Sequence, residues 1–145
     1  MTPDFTIQQI ADAAKLTRYQ VEAWISRGHF TPENPVENGK ARKFTADDAV
    51  VLAALAEFNR LGLAPTTVSM HTTQLRFRAG RGSLFVITSV IRQTTEPAGE
   101  IDLTAGDIIE AADLGRIASD PQVLAFAAVN IAQIEQRVRA SLGIA

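Results

Sequence analysis

The chain has 145 residues, 46% apolar and 21% charged, a globular balance that excludes a wholly disordered chain and a fibrous repeat. It has no Cys, which excludes disulfides and thiolate metal sites, and it lacks the apolar run of ~20 residues that a membrane span requires. The net charge of -2 conceals an asymmetry, with ten Lys/Arg against eight Asp/Glu in residues 1–82 and four against eight in residues 83–145. A basic first half fits a polyanionic partner, and an acidic second half fits a different surface. Residues Met1 to Asp12 hold no basic stretch followed by an apolar run, so no secretory signal is read and a cytoplasmic location is expected.

In chain order, Ile7, Ile10, Ala11 and Ala14 recur on one helical face. Thr6 with Gln9 forms a capping box ahead of them, in which hydroxyl and amide each satisfy an early backbone N–H. A second box, Thr17 with Gln20, opens a helix whose inner face is Val21, Trp24 and Ile25, and Gly28 suits its end. Two short helices joined by a tight turn at Leu16 predict a helix-turn-helix. From His29 to Lys43, Pro32 and Pro35 break helix, and Asn38-Gly39 favours a hairpin turn. A short hairpin, or wing, with Lys40, Arg42 and Lys43 at its tip is expected. A third box, Thr45 with Asp48, opens a helix over 46–61 that Gly62 ends. Pro65 begins a further helix to about Phe77. Arg76, Arg78, Gly80, Arg81 and Gly82 form a basic, flexible boundary, whose arginines either meet flanking phosphates or solubilise a linker.

In the second half, Leu84 to Ile91 predicts a strand and 94–100 a loop. Thr104 with Asp107 is expected to open a short helix that Gly115 ends. The apolar run 122–129 fits a buried strand or the start of a long helix from Pro121. The strand is favoured, because Asn130 with Gln133 then repeats the capping pattern before a final helix to Leu142. The expected fold class is mainly α with an α+β C-terminal part. Residues 1–82 form the helix-turn-helix domain, and 83–145 a region for oligomerisation or partner binding.

The stretches Phe5-Thr6-Ile7, Ile10-Ala11, Leu16-Thr17-Arg18-Tyr19-Gln20-Val21, Trp24-Ile25 and Gly28-His29-Phe30 resemble the first two helices of MerR-type and excisionase-type DNA-binding domains. Asn38-Gly39, Arg42-Lys43-Phe44-Thr45, Asp47-Asp48, Leu52, Leu55 and Leu61-Gly62-Leu63 are similar to their wing and third helix. The resemblance implies a recognition helix in the major groove and a wing on the backbone. MerR-type regulators usually carry Arg followed by two Tyr in that helix; here Glu22-Ala23-Trp24 stands there, and the Trp agrees better with excisionase-like relatives.

Within that frame Thr17, Arg18, Tyr19 and Gln20 occupy the exposed first turn of the second helix. Arg matches the guanine edge bidentately, Gln the adenine edge, and Tyr a phosphate or a thymine methyl. Lys40, Arg42 and Lys43 are expected on phosphates. His29 and His71 lack partners at ligand spacing, so no metal or cofactor is expected. Asp107, Glu110 and Asp113 are scattered acids, and no Gly-rich phosphate loop or Ser beside His is present. The expected function is sequence-specific binding of double-stranded DNA by a homodimeric transcription regulator, not an enzyme. The alternatives are an excisionase-like architectural factor in recombination and a protein-interaction module built on the same helices.

Overall fold

A computed structural model describes residues 3–145. Its helices are α1 (Ile7–Ala14), α2 (Arg18–Ser26), α3 (Ala46–Arg60) and α4 (Pro65–Thr72), the last prolonged by a 3₁₀ turn over Thr73–Phe77. Strands β1 (Leu84–Thr95) and β2 (Ala98–Ile109) follow, then the short helix α5 (Leu114–Ala118), β3 (Val123–Asn130) and α6 (Ile131–Ser141). The expected class is observed: a helical first half, then a three-stranded antiparallel sheet with helices, in the order β2-β1-β3.

Three helices start where a Thr hydroxyl accepts from a backbone N–H three residues on, with the Gln9, Gln20 or Asp48 side chain closing the box. α1 ends on Lys15, held in the left-handed region at φ 57°, where its N–H reaches back to Ala11 and Asp12 carbonyls. α3 is buried nearly all round and is the hub of the molecule. It is contacted by α1, α4 and α6, and Phe58 meets Phe85 of β1 edge to face at 5.8 Å between ring centres. Phe85, Ile87, Ile108 and Val129 share the inner face of the sheet and join the helical core, as do Ile131 and Val138 of α6. One apolar cluster therefore extends from Phe5 to Val138. By the alternation of side chains along strands, Leu103 opposite Val90, Ile101 opposite Arg92 and Phe126 opposite Thr88 lie on the outer face.

The structure corrects four local expectations. The segment 29–43 is not a hairpin. Among the described residues no bridge falls within it; the nearest joins Phe44, just beyond, to Phe5, and Asn38-Gly39 merely turns the chain so that Lys40 N–H bonds the Glu37 carbonyl at 3.2 Å. Pro32 and Pro35 interrupt any ladder, and the Asn34 amide donates to the Lys43 carbonyl at 3.0 Å to hold the loop closed. The 94–100 stretch is not an open loop: β1 and β2 pair as far as Thr95 opposite Ala98, around a cis Glu96-Pro97 peptide. Thr104 and Asp107 open no helix. Both lie in β2, where Thr104 bonds His71 and Asp107 accepts from the Ile108 N–H. Finally, Arg76 and Arg78 belong to no flexible linker, because both are packed into ion-pair networks. The 122–129 run is a strand from Val123, and Asn130 caps α6 by accepting from the Gln133 N–H at 3.1 Å.

Candidate nucleic-acid interface

The first turn of α2 is built by its cap. Thr17 is extended, its N–H donates to Gln20 Oε1 at 2.9 Å, and its hydroxyl accepts from the Gln20 N–H at 3.1 Å. Arg18 and Tyr19 are thus the first two helical residues, at the end of the element. Val21 and Trp24 are buried and fix the rotation of the helix, so the opposite surface faces outward. Tyr19 is 76% exposed. Arg18 Nε donates to Glu22 Oε1 at 2.9 Å one turn on, with both side chains more than half exposed. Such an exposed pair is weak and salt-screened, so it orients the guanidinium without committing it. Gln20 spends its carbonyl oxygen on the cap and keeps its amide donor.

The basic loop approaches α2 from the side. Lys40 Nζ lies 3.2 Å from Glu37 Oε2, again an exposed pair. Lys43 is exposed, while Arg42 is half-buried and its Nε has no hydrogen-bond partner among the described residues. That Nε is itself buried, so its lost hydrogen bond is a local cost, and the charge of Arg42 can be offered outward only through its terminal nitrogens. Ile7, Arg18, Glu22, Ile25, Arg42 and Lys43 line one open cleft of about 710 Å³ between α2, the start of α1 and the loop. Arg18, Arg42 and Lys43 therefore meet around a single concavity. Tyr19 lies outside it, against Glu22 and Arg27, and Lys40 stands at the far end of the loop.

The loop is held from behind by residues that sequence spacing does not reveal. Asp48 is 0% exposed and closes the α3 capping box through the Thr45 N–H at 2.9 Å. Its other oxygen accepts from the Glu33 N–H at 3.2 Å and lies 2.8 Å from Arg76 Nη2. Arg76 also bonds Glu33 Oε1 and the Thr31 carbonyl, each at 2.9 Å, and covers the Phe30 ring at 5.8 Å. One guanidinium thereby fastens the strand of chain leaving α2 to the base of α3. Arg78 makes the corresponding link on the other side, to Asp47 at 2.8 Å and to both oxygens of Glu135 on α6 at 3.1 Å. Burial works to lower its pKa, but the bonds to Glu135 and Asp47 outweigh this and hold it above the ordinary value. Arg81 pairs with Asp107 at 3.2 Å on the surface. The sequence signal available for Arg76 was only its apolar neighbourhood, since its partners lie more than 25 positions away.

Among the described residues no helix is long and apolar enough to cross a membrane, and no group of three or more His, Cys, Asp or Glu is placed to hold a metal. No curated protein matches the chain significantly. Residues 5–75 match the family described as MerR HTH family regulatory protein. These residues run from α1 into the 3₁₀ turn after α4 and take in the capped helix pair, the basic loop and Asp48, while Arg76 is the first residue beyond them. The match covers 71 of the 145 residues, and over that stretch the chain is similar to MerR-type helix-turn-helix regulatory proteins, which bind DNA.

Proposed function

We propose that this protein binds double-stranded DNA sequence-specifically as a homodimer in the cytoplasm and regulates transcription. The observation that carries the proposal is the meeting of Arg18, at the start of α2, with Arg42 and Lys43 of the loop around one cleft, in a stretch similar to MerR-type domains. In this reading α2 enters the major groove and Thr17, Arg18, Tyr19 and Gln20 face the bases and the adjoining backbone. Arg18 exchanges Glu22 for a guanine edge, and Gln20 offers its free amide donor while keeping its cap. Lys40, Arg42 and Lys43 take phosphates. For Lys40 this means leaving Glu37, and Arg42 would reach a phosphate through its terminal guanidinium nitrogens. A single small domain reads few base pairs, so two copies on two half-sites supply affinity. The second half of the chain would supply that association.

Selected-sequence and random DNA titrated across salt test this. Arg18→Ala should cost ~1–3 kcal/mol on the selected site and far less on random DNA. Replacing Lys40, Arg42 and Lys43 by Ala should weaken both DNAs alike and flatten the log-log salt slope by about 0.9 per lost phosphate contact. An unchanged slope removes the loop from the interface. Equal weakening of both DNAs by Arg18→Ala demotes Arg18 to a backbone contact. No binding at low salt sinks the proposal.

A further inference from the structure

The two edges of the sheet differ in kind. β2 carries Glu100, Asp102 and Asp107, charges that discourage a second strand from pairing there. β3 is the other edge, and its sequence Val123–Asn130 holds no charge and no Pro. Its inner side pairs with β1, and the ladder slips at Leu124, leaving Ala125 to Asn130 in regular register. The backbone groups on its outer side have no strand beside them in the sheet order. α6, which follows directly, packs on α3 and α1, and α3 and α5 are the helices that touch β3, while Leu124, Ala125 and Phe126 of the strand remain exposed. Next to this edge on the outer face stand Leu124, 63% exposed, and Phe126, 43% exposed.

A row of unpaired N–H and C=O groups asks for another strand. An uncharged strand is self-compatible, and antiparallel pairing of β3 with its own copy closes about a two-fold axis. Pairing of β3 with β2 of another copy would instead propagate without end, and the acids on β2 oppose it. Two copies need a surface that joins them, and among the described residues no long helix is free to provide it. α6 has 11 residues and buries Ile131 and Val138 in its own core. We infer that two copies of this chain join edge to edge through β3, making one continuous six-stranded sheet in which Leu124 and Phe126 of both copies cover one another near the axis. The inference rests on the two-copy reading above and names the surface that performs it.

The test uses the full chain without DNA, so that its outcome is independent of the DNA titration. Sedimentation at micromolar concentration should give about twice the 15.6 kDa chain mass. Phe126→Lys should return the mass to that of one chain with its circular dichroism unchanged; should it disturb folding, Leu124→Lys at the more exposed position serves instead. Ile101→Lys, on the same face but at the β2 edge, should leave the dimer intact. Because the chain has no Cys, single cysteines placed by Ala125→Cys, Phe126→Cys, Ala127→Cys and Ala128→Cys should form an intermolecular disulfide, most readily at the position nearest the axis. A monomeric wild type, a dimer that survives both lysine variants at β3, or a dimer that Ile101→Lys also breaks would overturn the inference. A dimer in which no β3 cysteine cross-links would do the same.

Discussion

Arg76→Met is the sharpest test of how the basic loop is positioned. The substitution keeps the aliphatic stem, and it removes the guanidinium that covers Phe30 and that is, among the described residues, the one cation touching the fully buried Asp48 carboxylate. Deleting one member of a buried ion pair typically costs ~3–5 kcal/mol, because the survivor stays charged in a low-dielectric site. Here Asp48 retains two backbone donors, from Thr45 and Glu33, and Arg76 is itself 17% exposed, so the loss should fall at or just below the low end of that range, about 2–3 kcal/mol. For a chain of this size that corresponds to a fall in Tm of roughly 5–12 °C. Asp48→Asn alone should also destabilise, since it removes the buried carboxylate of the two that pair with Arg76 and disturbs the α3 cap. The double variant should lose less than the sum of the two, with a coupling of ~1–3 kcal/mol, as expected for groups in direct contact. Urea unfolding followed by circular dichroism on the four proteins measures the cycle. Strict additivity, or a loss below ~0.5 kcal/mol for Arg76→Met, would place the pair in the same class as a solvated surface contact and refute the reasoning.

Three further outcomes are expected. Burial holds the His71 pKa below its ordinary value, so the folded state resists protonation there; stability from this group is complete above pH ~6.5 and falls as the pH drops from ~6.5 through the lowered folded value. His71→Gln should remove that part of the acid-side slope in unfolding free energy, and an identical slope in the variant would assign it to other groups. Gly82→Ala should destabilise by more than ~1 kcal/mol, because φ is +151° and a Cβ would fall inside the Ile109 carbonyl; near-native urea midpoints would contradict this. Trp24→Ala should cost ~3–5 kcal/mol as a large-to-small core change, and a near-native Tm would show that the indole is not a core anchor.

The features that were legible in the sequence are those whose cause is local. A Thr or Asn followed three positions later by a residue able to close or accept the cap marked the starts of α1, α2, α3 and α6, because capping is a contact within one turn. The same spacing misled at Thr104 and Asp107. There the segment lies against β1 over twelve positions, and pairing with a distant strand outweighs a single cap. The β1–β2 turn was hidden because Glu96-Pro97 and the polar residues around it look like any loop. The candidate site divides similarly. Arg18, Tyr19 and Gln20 follow from the amphipathic pattern of α2. The buried roles of Asp48, Arg76 and Arg78 do not, because charge in a sequence normally signals solvent, and only the folded chain brings carboxylates and guanidinia from α3, α6 and the α4 extension together.

The return of α6 onto α1 and α3 has a consequence for the order of events during synthesis. Helices α1, α2 and α3 are complete at Arg60, but Ile131 and Val138, which finish their apolar cluster, follow some 70 residues later. At about 5–20 residues per second, a ribosome leaves α3 without that cover for roughly 4–14 s. During this interval the nascent chain exposes Val, Leu and Ala side chains that are dry in the finished protein. The protein is therefore most exposed to aggregation and proteolysis before its last helix is made, and codon changes that slow translation between residues 60 and 131 should lower its yield without altering the folded product.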